Sequence, residues 1–190
     1  MRVLGIDPSI NSTGVCVNTD DRKTKYYIIT NEGTLTKRAM KSIEENPPKD
    51  ITYMFYEKTK DDTNYNTREV CKLQNFVGII EQIKWILKKE KPDIVFMEGI
   101  SYGSMGTSTA LVDLAGLNYL IRKTVYEHFK SYNINIVSPK ELKSKSCGNG
   151  NAGKEEMIYL WLKCDPKMEK YKDLKLDDLA DAYFLTKLSV

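Results

Sequence analysis

Short apolar runs mark the strands of this chain and alternate along it with helical patterns. Residues 2–6 and 13–18 are two apolar runs around a turn, and KYYIIT follows them, which predicts a three-stranded meander. The run DIVFME is apolar until its last residue, as in a central strand that is buried on both faces. A fifth strand is predicted at NINIVS.

Helices are predicted where apolar residues recur every three or four positions. The segments with this spacing are 69–89, 108–129 and 154–162, with a further helical stretch opened by Pro139 and a last helix from about Leu176. Strands and helices that alternate in this way predict an α/β fold, in which helices flank a layered sheet.

The apolar stripes on the two longest predicted helices are assigned to the core. Residues of these stripes include Leu73, Phe76, Ile80 and Leu111. Such wide apolar faces cover a sheet and can also leave a strip for a partner subunit, but core packing is the commoner use.

Length and composition favour one domain over residues 1–190. The chain is long enough to enclose one continuous hydrophobic core, and 41% apolar with 29% charged residues is the composition of a folded protein. Residues 35–66 interrupt the pattern with mixed charges, the pair Pro47 and Pro48, and the short run ITYMFY. We interpret this segment as an insertion.

The sequence also bounds the compartment and the cysteine chemistry. No apolar run reaches the roughly 20 residues that span a bilayer, and the first residues become polar too early for a secretory signal. We therefore expect a cytoplasmic protein that does not contact a membrane. Cys16, Cys71, Cys147 and Cys164 form no CxxC pair, which indicates reduced thiols rather than a zinc site.

Four acids lie at positions from which their side chains can converge. Asp7 follows the first strand, Glu98 ends the fourth, and Asp178 and Asp181 are three apart on one face of the last helix. Gathered carboxylates repel one another unless a hard cation such as Mg²⁺ neutralises them, so the cluster predicts phosphoryl chemistry. Taken singly, each acid has a plainer interpretation as a turn former or a helix cap.

Basic residues are concentrated in one segment. The net charge of +3 does not by itself indicate a nucleic-acid partner. The stretch PKELKSKSCGNGNAGK, however, places Lys140, Lys143, Lys145 and Lys154 near glycines. These lysines can hold backbone phosphates, or they can form an ordinary solvated surface.

Taken in chain order, these motifs resemble those of the RuvC-like crossover junction endonucleases of the ribonuclease H superfamily. GIDPSINSTG resembles the first motif of that family, VFMEGISYG the second, and DDLADAY the final D-x-x-D-A helix motif. SPKELKSKSCGNGNAGKEE is similar to the lysine-bearing segment that lies between the last two acidic motifs. The first motif also resembles the phosphate loop of chaperone and sugar-kinase-like ATPases, which need two such domains and far more residues.

The resemblance implies an RNase H-like mixed five-stranded sheet flanked by helices, and a homodimer that binds a four-way (Holliday) DNA junction. Each subunit would cut one strand by metal-activated attack of water on a phosphodiester, leaving a 5′ phosphate and a 3′ hydroxyl. The four acids would hold two Mg²⁺ ions per subunit, with Asp7 bridging them, and Mn²⁺ can substitute because the ligands are oxygens. Lys143 and Lys154 are carried over as phosphate-binding lysines, Lys154 with a catalytic role.

Further DNA-binding candidates lie beside these motifs. Lys145, Gly148 and Gly150 belong to the lysine-bearing segment, where the glycines can admit the DNA backbone or supply an ordinary surface turn. Tyr102 can stack on an unpaired base at the junction centre, or pack its own loop. Family members commonly carry Phe nearby, whereas Ser101 holds the closest equivalent position here.

The family motifs leave other functions open. A broader nuclease for branched DNA, which cuts forks or flaps, would carry the same metal motifs. A catalytically silent junction-binding protein would keep the fold and lose the chemistry, but the complete set of four acids argues against it. Residues 35–66 exceed the corresponding segment of ordinary bacterial members, which could alter substrate choice, and their composition suggests a phage or viral version acting in the host cytoplasm.

Overall fold

A six-stranded mixed sheet in the order β4-β3-β2-β1-β5-β6 forms the centre of the computed structural model of the chain. The model describes residues 1–19, 23–59, 64–100, 109–129, 133–171, 174 and 176–188. Its strands are β1 (Val3–Asp7), β2 (Ser12–Asn18), β3 (Thr24–Thr30), β4 (Ile51–Phe55), β5 (Ile94–Glu98) and β6 (Ile134–Val137). The first three form the predicted antiparallel meander, β5 lies parallel to β1, and β6 lies parallel to β5.

The predicted α/β class is confirmed, whereas the predicted number of strands is wrong. Among the described residues the sheet has six strands rather than five. The additional strand is β4, which comes from the ITYMFY run of the predicted insertion and pairs in parallel with β3. The insertion therefore extends the sheet, and Glu98 ends the fifth strand instead of the fourth.

Helices flank this sheet on both faces. They are α1 (Lys37–Glu45), α2 (Tyr65–Glu90), α3 (Thr109–Phe129), α4 (Pro139–Cys147), α5 (Lys154–Cys164) and α6 (Asp177–Leu185), with short 3-10 helices at Glu32–Thr34 and Pro166–Tyr171. Helix α2 begins earlier than its apolar pattern predicts, because the side chain of Asn64 accepts a hydrogen bond from the Thr67 amide at 3.3 Å and caps the helix. No helix in the described part of the chain is both long and apolar enough to cross a membrane.

Each face of the sheet carries its own hydrophobic cluster. Because side chains alternate along a strand, Leu4 and Ile6 of β1 join the cluster beneath α2 and α3, whereas Val3 joins the cluster beneath α4, α5 and α6. The same alternation places Phe96 of β5 in the second cluster. Asp7 and Glu98, each an even number of residues further along these strands, therefore share the α6 face.

The core assignment of the helix stripes is only partly right. Phe76 and Ile80 are buried, but Leu73 is 55% exposed and Leu111 is partly exposed. Leu73 faces away from the sheet, on the solvent side of α2. The exposed apolar residues of α2 and α3 that we call the outer strip are Val70, Leu73, Val77, Val112, Tyr119 and Tyr126.

Candidate metal centre

Two acids stand side by side at the carboxyl ends of neighbouring parallel strands. Ile6 of β1 is in register with Met97 of β5, so Asp7 and Glu98 follow at the same level of the sheet. Asp7 is buried, with 7% of its surface exposed, and Glu98 is partly buried. The ends of β1 and β5 therefore bring together two carboxylates that are far apart in the sequence.

Helix α6 reaches these strand ends because two glycines let its backbone lie directly on the sheet. A Cβ atom at Gly5 would collide with the carbonyl oxygen of Ala182, and a Cβ atom at Gly14 would collide with that of Asp178. Gly14 is also the register partner of Asp7 on the adjacent strand β2. Any larger residue at Gly14 would push the start of α6 away from Asp7.

Three carboxylates converge in this arrangement. One oxygen each from Asp7, Glu98 and Asp181 lies within 4.8 Å of the other two, and these three acids form the cluster found among the described residues. Asp178, the fourth acid of the sequence prediction, is not a member of this group. We call the three residues the acidic cluster.

Burial and mutual repulsion make the acids of the cluster hard to ionise. Burial, followed by the charges of Glu98 and Asp178, raises the pKa of Asp7 well above its usual value. Burial and the charge of Glu98 raise the pKa of Asp181 to about 7. Burial also raises the pKa of Glu98. Without a cation, the cluster therefore retains protons near neutral pH.

Asp178 lies at the border of the cluster. Burial raises its pKa to about 6, and a hydrogen bond with Ser12 acts in the opposite direction. Its charge also raises the pKa of Asp7, which shows that the two carboxylates are electrostatic neighbours. A place for Asp178 in the ligand set, expected from its position three residues before Asp181, stays a prediction.

The cluster fits a hard divalent cation. Its donors are carboxylate oxygens, the ligands that Mg²⁺ and Mn²⁺ accept. The Oδ1 atom of Asp181 is buried, and no described residue forms a hydrogen bond with it. A buried acceptor without a partner is costly, and a cation would satisfy it.

Solved structures of two proteins share this arrangement of strands and helices over nearly the whole chain. RuvC of Thermus thermophilus aligns with a TM-score of 0.54 and 18% identity, over 98% of this chain and 91% of its own. A structure of the same protein in complex with a Holliday junction substrate gives a TM-score of 0.54 and 17% identity, over 98% and 90%. The yeast mitochondrial Holliday junction resolvase Ydc2 aligns with a TM-score of 0.53 and 16% identity, over 97% of this chain and 75% of its own.

The chain has a RuvC-like fold. The fold that the motifs led us to expect is thereby confirmed. No protein-family model matches the chain, and no curated protein matches it in sequence. The chemistry of this RuvC-like chain has to be argued from its own residues.

Two predicted lysines lie near the acidic cluster of this RuvC-like fold. The Nζ atom of Lys154, at the start of α5, donates to Oδ2 of Asp177 at 2.6 Å, and this bond raises the pKa of the lysine. The Lys154 side chain is 75% exposed. Lys143 is partly buried, and its charge opposes the rise in the pKa of both Glu98 and Asp181. Lys143 and Lys154 therefore border the cluster from two different helices.

The other predicted DNA-binding residues are less close to the cluster or have a structural explanation. Lys145 pairs with Glu141 along α4 at 2.9 Å. Gly148 ends α4 with φ +73°, a left-handed conformation that favours glycine, and a Cβ atom at Gly150 would crowd Lys140. Tyr102 lies outside the described residues. A role in DNA binding stays a prediction for each of them.

The structure adds residues that the sequence argument missed. Asn118 of α3 is 2% exposed and donates from Nδ2 to the backbone carbonyl of Glu98 at 3.1 Å, which fixes the end of β5. The signal in the sequence that could have indicated Asn118 is its polar side chain within the apolar pattern of α3. Asp177 holds Lys154, but in the run DDLAD nothing in the sequence shows which aspartate faces the sheet.

Proposed function

We propose that this chain is a metal-dependent, structure-selective endonuclease that resolves four-way DNA junctions by paired nicks. The observation that carries the proposal is the convergence of Asp7, Glu98 and Asp181 within 4.8 Å on a RuvC-like sheet. One buried and two partly buried carboxylates with raised pKa values are costly to keep unless they bind a ligand, and pKa shifts of this kind are typical of functional sites. The solved neighbours, one in complex with a Holliday junction substrate and one named as a Holliday junction resolvase, support DNA junctions as the substrate.

In this proposal Asp7, Glu98 and Asp181 hold the ions, with Asp178 completing the ligand set. The expected cofactor is two Mg²⁺ ions per subunit, for which Mn²⁺ can substitute. When bound, the ions supply charge neutralisation for a phosphodiester and an activated water molecule. Asn118 positions Glu98 through its backbone carbonyl, and Gly14 admits the start of α6.

Lys143 and Lys154 orient the DNA strand in the proposed reaction. Their ammonium groups border the acidic cluster and can attract the backbone phosphates of the strand to be cut. Lys154 must exchange its hydrogen bond with Asp177 for one with a phosphate. Because Lys154 is exposed, this exchange needs no movement of the backbone.

The paired nicks require two copies of the site, and we propose a homodimer. The outer strip places apolar side chains in solvent on the sheet's opposite face from the cluster, including Leu73 at 55% and Val112 at 71% exposed. Exposed apolar residues gathered on one surface are typical of an interface. The proposed dimer would act on branched DNA in the cytoplasm, that of the host for a phage or viral chain.

Strand cleavage tests the proposal directly. An immobile four-way junction, a fork and a linear duplex are each incubated with the wild type, Asp7→Asn and Asp181→Asn, in Mg²⁺ and in EDTA. We expect symmetrically paired nicks in the junction, lost in EDTA and reduced roughly a hundredfold or more by either substitution. Asp113→Asn, which removes an acid paired with Lys72 at 3.1 Å, is the matched control and should cut like the wild type.

Other outcomes would replace this function with a different one. Equal cutting of forks and junctions would make the chain a general nuclease for branched DNA. Tight junction binding without cutting in either Mg²⁺ or Mn²⁺ would make it a silent junction-binding protein, and the intact ligand set would then have another use.

A further inference from the structure

A cavity of about 400 Å³ lies beside the acidic cluster, on the same face of the sheet. One wall consists of Ser12, Asp178 and Lys154, which border the cluster. Other lining residues come from the segment predicted as an insertion and include Leu35, Ile43 and Tyr53. We call this space the insertion cavity.

Strand register explains why the cavity forms here. Gly14 of β2 is in register with Ile28 of β3, and Ile28 with Tyr53 of β4, so the side chains of Ile28 and Tyr53 continue the row that begins at Gly14 on the α6 face. Ile28 forms part of the cavity lining and Tyr53 is partly buried against the same hydrophobic cluster. Strand β4 therefore carries the floor of the cavity outwards from the metal centre.

The lining has the character of a site for a flat, uncharged, polar ring. Ile28, Leu35 and Tyr53 offer apolar and aromatic surface, and an aromatic ring is the surface on which bases stack. Asn11 and Thr34 line the same cavity with an amide and a hydroxyl, groups that form hydrogen bonds with base edges. The carboxylates of Asp177 and Asp178 disfavour an anionic occupant. The volume falls within the roughly 300–1,000 Å³ of small-molecule sites.

We propose that the insertion cavity binds one unpaired nucleobase of the strand that is cut, next to the scissile phosphate. The proposal rests on the proposed nuclease function and deepens it. Asp178 lines the cavity, and Asp181 of the acidic cluster lies one helical turn further along α6, about 5 Å away. Lys154 at the rim can hold the phosphate that joins the bound base to the reacting one.

The insertion cavity consequently makes the rate of cutting depend on the base beside the cut. Stacking of a base on an aromatic residue contributes about 1–3 kcal/mol. We therefore expect a junction with an abasic residue at the flanking position to be cut roughly tenfold more slowly than one with a base. A conventional phosphate-only contact would leave both rates equal.

Cleavage rates of junctions that differ only in the residue beside the cut test whether cutting depends on that base. Junctions with each of the four bases or an abasic residue beside the cut are compared for the wild type, Ile43→Trp and Glu44→Trp. Ile43→Trp narrows the cavity and should bring the ratio of the base-bearing to the abasic rate close to one. Glu44 is the next residue of α1 and does not line the cavity, so Glu44→Trp should keep the wild-type ratio. Thermal unfolding confirms that both variants are folded.

A second readout does not depend on cutting. A junction with 5-iododeoxyuridine at the flanking position is irradiated with the full-length protein in EDTA, and the crosslinked peptide is identified by mass spectrometry. Crosslinking to Tyr53, absent with Ile43→Trp and with fully paired duplex, supports the proposal. Cutting without base dependence and without this crosslink overturns the cavity assignment alone. A Tyr53 crosslink without any cutting upholds the cavity and overturns the nuclease, and absence of both overturns both.

Discussion

Glu90 and Asp7 are both buried carboxylates, and they lie at opposite ends of the sheet among opposite neighbours. Glu90, 2% exposed, accepts hydrogen bonds from the Tyr27 hydroxyl at 2.5 Å and from Lys25 Nζ at 3.0 and 2.9 Å. Burial acts to raise its pKa, but the bonds from Tyr27 and Lys25 lower it overall. Asp7 has carboxylates as neighbours instead, and its pKa is raised.

This difference separates a carboxylate that supports the fold from one that is held ready for a ligand. Around Glu90 every partner is a donor or a cation within the chain, so folding already satisfies the charge. Around Asp7 the neighbouring groups are also carboxylates, so folding brings like charges together, and protons or a cation must neutralise them. Neutralising each residue should therefore change stability in opposite directions.

The largest expected effect is the loss of the Glu90 charge. Glu90→Gln should lower the free energy of unfolding by about 3 kcal/mol, because it removes the negative charge that Lys25 pairs with and leaves one acceptor oxygen for the Lys25 and Tyr27 donors. Urea unfolding measures this value. Glu69→Gln on the same helix removes an acid that is 40% exposed and pairs with Lys72, and should change stability by less than about 1 kcal/mol. Equal losses in both variants would contradict the assigned role of Glu90.

Gly14→Ala should have the next largest effect on the free energy of unfolding. Gly14 lies at the end of the sheet that carries Asp7. The added Cβ atom would collide with the Asp178 carbonyl oxygen and displace α6, at a cost of about 2 kcal/mol. Urea unfolding and calorimetric titration with Mn²⁺ should show lower stability and weaker metal binding together. Gly153→Ala is the control, since a Cβ atom there meets nothing within 4 Å. Unchanged Mn²⁺ affinity in Gly14→Ala would argue against α6 as the source of ligands.

An effect of similar size, about 2 kcal/mol, is expected from pH in the absence of metal. The folded chain holds protons on Asp178 and Asp181 up to about pH 6 and 7, whereas their ordinary value is 3.8, so the folded state binds more protons between these limits. The free energy of unfolding in EDTA should therefore rise as pH falls from 7 towards 5. Glu90, whose pKa is lowered in the folded chain, would by itself make stability fall on acidification.

Urea unfolding between pH 7 and pH 5 shows whether stability rises or falls on acidification. Asp181→Asn should flatten the rise and stabilise the metal-free protein at pH 7, while saturating Mg²⁺ should reverse it because the ion competes with protons. Stability that decreases on acidification in EDTA would contradict the repulsion at Asp7.

The smallest expected effect concerns the lysine at the border of the cluster. Lys154→Ala should weaken junction binding in EDTA several-fold and reduce the slope of log affinity against log salt by about 1. Lys123→Ala is the matched control, because Lys123 also pairs with an acid at 2.6 Å but lies on α3. Fluorescence anisotropy at several salt concentrations measures both. Identical salt slopes would remove Lys154 from the DNA-binding surface.

Local patterns predicted most of the fold and the acids of the site, because both depend on short-range rules. The alternation along β1 and β5 and the i,i+3 spacing on α6 are visible in the sequence, and they place Asp7, Glu98 and Asp181 together. Strand β4 was missed because a five-residue run among mixed charges carries no clear period. Leu73 was misassigned because a stripe of apolar residues does not say which neighbour covers it. The hydrogen bond from Asn118 to Glu98 joins distant segments, which no local pattern reveals.

The acidic cluster takes its members from β1, β5 and α6, three elements spread over most of the sequence. During synthesis on the ribosome, a chain that has already formed β1 and β5 still lacks Asp181 until α6 emerges and docks against Gly5 and Gly14. A partly made or proteolytically shortened copy would therefore be unable to assemble the proposed centre. The proposed capacity to cut DNA would therefore depend on the last helix of the chain as well as on the two strands.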